Sequence, residues 1–288
     1  MSVTPDSAVA AVPPRAQPPR GRRRVPRVNA HRRREARTAY VFLAPWFIGL
    51  FVITIGPILA SLYLSFTDYN LLEAAKWVGW DNYTKLFTVD TRFLASLKVT
   101  TIYVVVSVPL QLAFALVLAL ALDRGLRGLS FYRSIYYLPS LLGGSVAVAI
   151  LWRKIFGSDG LVNAVLDVFG IQGAGWVSDP DTALGTLILL HVWTFGAPMV
   201  IFLAGLRQIP QSYYEAAQVD GAGRLRQFRS ITLPLLTPII FFNLVLEVIK
   251  SFQSFTQSFI VSSGTGGPVD STLFYTLYLY LKGFKSYE

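Results

Sequence analysis

The sequence predicts an all-α polytopic membrane bundle, and three observations carry that prediction. The 288-residue chain is 53% hydrophobic and only 15% charged, with a mean hydropathy of +0.49. A soluble domain carries roughly a quarter charged residues. The apolar residues fall into uncharged runs near the ~20 residues that a helix needs to cross a hydrocarbon core. Finally, Lys and Arg concentrate in alternate connecting segments. Composition also removes whole classes of chemistry. With no Cys there are no disulfides, thiolate metal sites or Cys nucleophiles. His31 and His191 are too few for an ordinary His-based metal site, so none is expected.

Residues 1–37 hold ten Arg against Asp6 and Glu35, with many Pro. This composition buries little and is expected to be a disordered cytoplasmic tail. Topology control and contact with anionic headgroups account for the arginines more simply than a nucleic-acid arm, so no nucleic acid partner is expected. The 30 uncharged residues between Arg37 and Asp68 far exceed a signal-peptide core of roughly 7–15, so the first span, 40–65, reads as an anchor. Further uncharged runs of 24, 19, 25 and 17 residues give spans at 99–122, 134–152, 183–206 and 231–250, the last continuing past Glu247. Between Lys250 and Asp270 the chain is rich in Ser, Thr and Gly and includes Gly264-Thr265-Gly266-Gly267-Pro268, so most of it is expected to be loop. Residues 271–281 are too few to span and read as an interfacial aromatic segment.

Charge sets the orientation. The tail nets +8, and the segments 68–98, 123–133, 153–181 and 207–229 net 0, +2, −2 and +2. The tail and the two positive segments hold 17 of the 26 Lys and Arg residues. The positive-inside rule therefore places the N-terminus in the cytoplasm and segments 68–98 and 153–181 outside.

Catalytic patterns are missing. No Gly-Lys dipeptide occurs, so the G-x-x-x-x-G-K-[ST] phosphate cradle is absent, and neither G-x-S-x-G nor H-E-x-x-H is found. The chain is expected not to be an enzyme and to bind no cofactor. The informative segment is 207–234. Ser212 followed by Glu215 is a capping-box pattern, which predicts a short helix with Ser212 as its N-cap. Gly221 suits the left-handed conformation that stops a helix. A second short helix is expected from Arg224 toward Ile231.

Glu215-Ala216-Ala217, three residues, Gly221, nine residues, Ile231, one residue and Leu233-Pro234 resemble the "EAA" loop of binding-protein-dependent ABC importer membrane subunits, with the family's spacing throughout. Other stretches are similar to the carbohydrate branch, the type of the maltose and glycerol-phosphate importers. They include Val78-Gly79-Trp80-Asp81-Asn82-Tyr83, Tyr137-Leu138-Pro139, and Phe252-Gln253-Ser254-Phe255 followed by Gly266-Gly267-Pro268. The resemblance covers about 40–288. It implies a type I ABC importer permease fold in a bacterial inner membrane, with a permease domain over 38–288 and a coupling loop at 207–234. It also implies a second homologous permease subunit, two ATPase subunits or domains that use ATP and Mg, and an extracytoplasmic solute-binding protein. Members of this branch carry six spans. Five are expected here, with the sixth absent because the chain stops at Glu288 where that span would begin.

By this resemblance, Tyr214, Glu215, Ala216, Ala217, Asp220, Gly221 and Arg224 contact the ATPase. For the substrate pathway the candidates are the polar residues inside or beside the spans: Gln111, His191, Trp193, Thr194, Asn243, Glu247, Ser251, Gln253 and Ser254. Polar groups at membrane depth are costly and often line a cavity. Trp193 with Ser251 and Ser254 would join an aromatic face to hydroxyl-pairing groups, as a sugar requires. Glu247 either lines the pathway or pairs with Lys250. The alternative reading is an ion-driven secondary transporter, which should carry more intramembrane acids or broken helices. The coupling-loop spacing argues against it.

Overall fold

A computed structural model describes residues 30–69, 73–123 and 128–286. The tail expected over 1–37 lies outside these residues as far as position 29; helix has already begun at Ala30. The helices are α1 (Ala30–Gly49), α2 (Gly56–Leu64), α3 (Asp81–Thr88), α4 (Thr91–Leu122), α5 (Leu129–Leu142), α6 (Val146–Ile155) and α7 (Leu161–Val168). After them come α8 (Pro180–Trp193), α9 (Gly196–Leu206), α10 (Gln211–Val219), α11 (Arg224–Gln227), α12 (Leu233–Phe252), α13 (Thr256–Val261) and α14 (Tyr275–Tyr280). A two-residue antiparallel ladder, β1 (Thr67–Asp68) with β2 (Lys76–Trp77), precedes α3.

Two compact units result, up to Leu64 and from Ser65 onward. In the first, α1 and α2 are joined through a π-helical turn, Leu50–Ile55, into one apolar run, Glu35–Leu64. The wide turn has a local cause. Pro57 has no N–H to donate, and Gly56 N–H reaches back five residues to the Phe51 carbonyl. The same device recurs at Phe228–Thr232, where Leu233 N–H bonds the Phe228 carbonyl just before Pro234. There it fuses α11 to α12, so the separate second short helix expected from Arg224 is instead the start of a 29-residue run, Arg224–Phe252.

In the second unit α4 is the central post, 32 residues long and capped by the Asp90 carboxylate, which accepts from Phe93 N–H. Its buried face, including Val104, Val108, Leu112, Ala115, Ala119 and Leu122, repeats at helical spacing and packs on α8, α9 and α12. Small residues set the closest approaches. A Cβ on Gly205 would stand 2.2 Å from Ile239 Cδ1, and one on Gly196 would stand 2.2 Å from the Tyr136 carbonyl oxygen and 2.7 Å from Tyr137 Cα. The Gly196 neighbours are backbone and cannot swing aside. Gly196→Ala is therefore expected to part α5 from α9 and to lower folded protein in detergent several-fold, at about 1–3 kcal/mol for overpacking. Monodisperse protein recovered at equal expression is the measurement, with exposed Gly223→Ala as the control.

Three helical runs are long and apolar enough to cross a membrane, and up to five if each of two bent pairs counts as one. The span expected at 134–152 is not a single helix: α5 and α6 meet at 94°. Gly143-Gly144 have the backbone freedom that makes glycine a poor helix former, and Ser145 starts a new helix by accepting from Val148 N–H. The span expected at 183–206 bends by 42° between α8 and α9. The loop expected over 250–270 contains α13, and the 271–281 segment is not merely interfacial. Leu273, Phe274, Leu277 and Tyr278 are buried, three of them with Phe93 of α4 in a second apolar cluster.

Polar ties hold this segment to the start of α4. Arg92 donates to both Asp270 carboxylate oxygens at 3.0 and 2.7 Å, and Tyr278 Oη donates to Asp90 at 2.7 Å. Burial pushes the Asp90 carboxyl up, but the Tyr278 hydroxyl, Phe93 N–H and Lys282 outweigh it and hold it below the usual carboxylate range. Its stabilising effect is thus full above the unfolded value near ~3.9 and disappears as pH falls through the lower folded value. Asp90→Asn should cost on the order of 1 kcal/mol at neutral pH and flatten the acid side of the stability profile below about pH 4. Thermal unfolding in detergent between pH 3 and 7 checks this.

Candidate functional site: a polar cavity and a projecting helix

Where α5 breaks, α8 bends and α12 ends, the second unit encloses a cavity of about 430 Å³. Such a volume suits a small-molecule site. Tyr103 reaches it from α4, Ser140 from α5, His191 from α8, Thr194 from the bend between α8 and α9, and Glu247 and Lys250 from α12. Gln253 through Gln257 close it at the α12–α13 turn. The breaks position the site: α13 can fold back against α6 only because α12 stops at Phe252.

The nine predicted pathway residues divide into two groups. His191, Thr194, Glu247, Gln253 and Ser254 line the cavity. Lys250 Nζ donates to Glu247 Oε1 at 2.7 Å, so Glu247 both lines the cavity and has the predicted partner. Glu247 is 4% exposed, whereas the Lys250 side chain is 58% exposed. Ser254 Oγ donates to Gln257 Oε1, whose amide donates on to the Gly143 carbonyl. Hydroxyls, amides, an imidazole, a carboxylate and an ammonium thus converge on one space beside Tyr103 and Phe255.

The other four stand behind the wall. Gln111 is buried on α4 and donates from Nε2 to the Thr194 carbonyl and hydroxyl oxygens, both at 3.1 Å. Ser140 Oγ donates to the same carbonyl at 2.8 Å, which satisfies an oxygen freed by the bend. Gln111 is a strut for the α8–α9 bend rather than a lining residue. Asn243 donates to the Ile239 carbonyl one turn back along α12, and Ser251 Oγ lies 3.3 Å from His191 Nε2, orienting that ring. Trp193 turns away from the cavity to meet Trp152, with ring centroids 6.0 Å apart. The expected partnership of Trp193 with Ser251 and Ser254 is therefore corrected: the aromatic surfaces in the cavity belong to Tyr103 and Phe255. Sequence reasoning missed Tyr103, Ser140, Lys250, Gln257 and Phe255 as lining residues. The i, i+3 spacing of Lys250 to Glu247 was the one available signal.

At the other end of the fold α10 projects between α9 and α11. The capping box does not form. The helix begins at Gln211 after Pro210, so Ser212 is already inside it, and no side-chain cap bond is made. Glu215 is exposed, as are Ala216, Asp220 and Arg224. Gly221 does stop the helix, at φ +72°, with Ala222 N–H bonding the Ala217 carbonyl at 2.8 Å. Tyr214 faces inward: its hydroxyl pairs with Thr232 Oγ1 at 2.8 Å. Ala217 is half-buried. The α10–α11 unit is thereby fastened to the root of α12. Tyr213, Val219 and Leu225 are exposed apolar residues beside Glu215, Asp220 and Arg224, with Val219 89% exposed.

Residues 92–281 match the model of the family described as "Binding-protein-dependent transport system inner membrane component". The chain is 52% identical over 257 residues to the probable ABC transporter permease protein YesP of Bacillus subtilis, covering 89% of this chain and 83% of that protein. It is 36% identical over 246 residues to the lactose transport system permease protein LacF of Rhizobium radiobacter, covering 84% and 81%. Among solved structures, a bacterial alginate ABC transporter in complex with an alginate pentasaccharide-bound periplasmic protein aligns with a TM-score of 0.73 at 23% identity, covering 88% of this chain and 85% of that one. That likeness concerns the fold.

Proposed function

This chain belongs to the family of binding-protein-dependent transport system inner membrane components, and we infer that it is the membrane-spanning permease subunit of an ABC importer for a sugar or oligosaccharide. One observation carries the solute class: a single cavity gathers the hydroxyl, amide and charged groups of Ser140, His191, Glu247, Lys250, Ser254 and Gln257 around two aromatic side chains. Neutral hydroxyl-rich molecules are held by such convergent donors and acceptors. The relative named for lactose transport carries a solute of that class.

The division of labour follows from what the residues can do. The α10–α11 unit offers an exposed carboxylate, guanidinium and apolar side chains on a scaffold locked by Gly221 and the Tyr214–Thr232 bond. Such a rigid lever can pass a push from an ATPase into α12, and α12 carries Glu247 and Lys250 at its far end. ATP and Mg then belong to two ATPase subunits, this chain supplying no phosphate cradle. A second permease subunit completes the pathway, and a solute-binding protein delivers the solute on the outer side. The N-terminus and α10 face the cytoplasm, as the distribution of Lys and Arg supports.

Broken helices are the mark of an ion-driven carrier, and two bent pairs occur here. Among the described residues, however, Glu247 is the one buried charged side chain, and it is already neutralised by Lys250. An isolated chain is therefore expected to hydrolyse no ATP, and affinity purification under mild detergent should recover an ATPase with it. Hydrolysis by the chain alone, or transport by the chain alone down an imposed proton or sodium gradient, would refute the reading.

A further inference from the structure

A second hollow, of about 530 Å³, opens where the end of α6, the approach to α8 and the segment after α13 meet. Neither the polar cavity nor the lever uses it. Val261 stands one turn of α13 past Gln257, so the hollow and the cavity share that helix as a wall. The positive group in the hollow is Arg153, half-buried in the last turn of α6. Its neighbour Trp152 donates from Nε1 to the Thr186 carbonyl at 3.0 Å, which fixes the end of α6 against α8. Arg153 Nη1 donates to Ser263 Oγ at 2.8 Å and to the Ile260 carbonyl at 3.3 Å. These bonds hold the guanidinium in place and occupy one of its three nitrogens. Among the described residues no carboxylate pairs with Arg153, and its Nε and Nη2 have no partner.

The rim is equally fixed. Ser263, Val269 and Asp270 have φ of +54°, +52° and +56°, a conformation that costs any residue with a Cβ. Val269 is 89% exposed, so burial does not repay it. The loop is held instead by polar bonds. Gly266 N–H donates to Ser262 Oγ at 3.2 Å, Thr272 Oγ1 donates to the Gly266 carbonyl at 2.9 Å, and Arg92 grips Asp270. Backbone strain maintained in this way gathers at ligand clamps.

Chemistry selects the occupant. Ser158 and Ser178 add exposed hydroxyls. No aromatic side chain lines the hollow, so it lacks the ring surfaces that Tyr103 and Phe255 give the cavity. A metal ion would be repelled by the guanidinium. Nearby carboxylates do not neutralise it: Asp179 accepts from Asp181 N–H at 2.9 Å, Asp270 is held by Arg92, and Asp159 is exposed. What remains is an uncompensated planar cation beside hydroxyl donors, the set that grips an oxyanion through paired charge-assisted bonds. We propose that this hollow is a binding site for a carboxylate or phosphate group, with Arg153 as its charged anchor and Ser158 and Ser178 as hydroxyl donors. A soluble acid and a lipid headgroup offer the same chemistry. The site stands independently of the import reading.

The test titrates the full chain, purified in neutral detergent, with glucuronate, inorganic phosphate and glucose at constant ionic strength, and reads binding calorimetrically. Glucuronate and phosphate should bind at least about tenfold more tightly than glucose. Arg153→Gln should remove that preference. Ser158→Asp should remove it too, by setting a carboxylate at the rim while leaving both Arg153 bonds in place, so its loss does not come from unfolding. Gel filtration of each variant checks this. Native mass spectrometry then separates the sources. A phospholipid retained by the wild type, displaced by glucuronate and lost in Arg153→Gln supports the site with a lipid headgroup as its occupant. Glucuronate binding with no such lipid supports it with a soluble acid. Glucuronate bound no more tightly than glucose, or bound equally by the wild type and both variants, would overturn the inference.

Discussion

Glu215→Ala and Gly221→Val are each expected to cut ATP-driven uptake at least tenfold while folded protein in the membrane stays near the wild-type amount. The two act by different routes. Glu215 is exposed and makes no cap bond, and Ala is a better helix former, so α10 itself is not weakened. On the proposed function, what disappears is a carboxylate offered to the ATPase. Gly221 sits at φ +72° with open space where a Cβ would lie. Valine therefore meets no clash and suffers only the left-handed backbone penalty of roughly 1–2 kcal/mol. That is enough to unwind the turn that aims α10, and small against a packed bundle. Membrane abundance, ATPase co-purification and uptake distinguish the outcomes. Normal abundance with lost uptake supports the lever, and full uptake in both variants leaves Gly221 as a helix stop and Glu215 as an ordinary surface residue.

The ion pair in the cavity should give the other large effect. Lys250→Met leaves the buried Glu247 carboxylate without its partner, which typically costs about 3–5 kcal/mol. Folded protein should fall sharply. Adding Glu247→Gln removes the uncompensated charge, since a neutral amide is far cheaper to bury. The double variant should recover most of the folded protein yet transport solute poorly, because the charge-assisted donor and acceptor are both gone. A double-mutant cycle on thermal unfolding and uptake separates the roles. Recovery of uptake together with folding would make the pair purely structural.

The sequence and the structure agree where local chemistry decides. The uncharged runs located the apolar helices, and Gly221 announced a left-handed stop that is present. The 207–234 spacing located the α10–α11 unit without any tertiary information. Failures occur where a short-range signal lost to a neighbour. Ser212 and Glu215 had the right spacing for a capping box, but Pro210, with its fixed φ, started the helix before Ser212. Gly143-Gly144 inside an uncharged run looked like part of a span, because hydropathy does not register a 94° turn. Cavity membership was only half legible. Polarity at membrane depth says that Gln111 and Thr194 turn from lipid, but not that they bond each other; only the packing of α4 against the α8–α9 bend shows that. Trp193 was likewise assigned by residue type, whereas its direction is set by Trp152 on α6.

Reconstitution tests the central claim most directly. The chain, its partner permease and the ATPase are placed in proteoliposomes, with a labelled oligosaccharide and the binding protein outside. Accumulation should require ATP inside and binding protein outside, should proceed with no ion gradient, and should be lost in Glu215→Ala. Accumulation driven by a proton or sodium gradient in vesicles without ATPase would contradict the account.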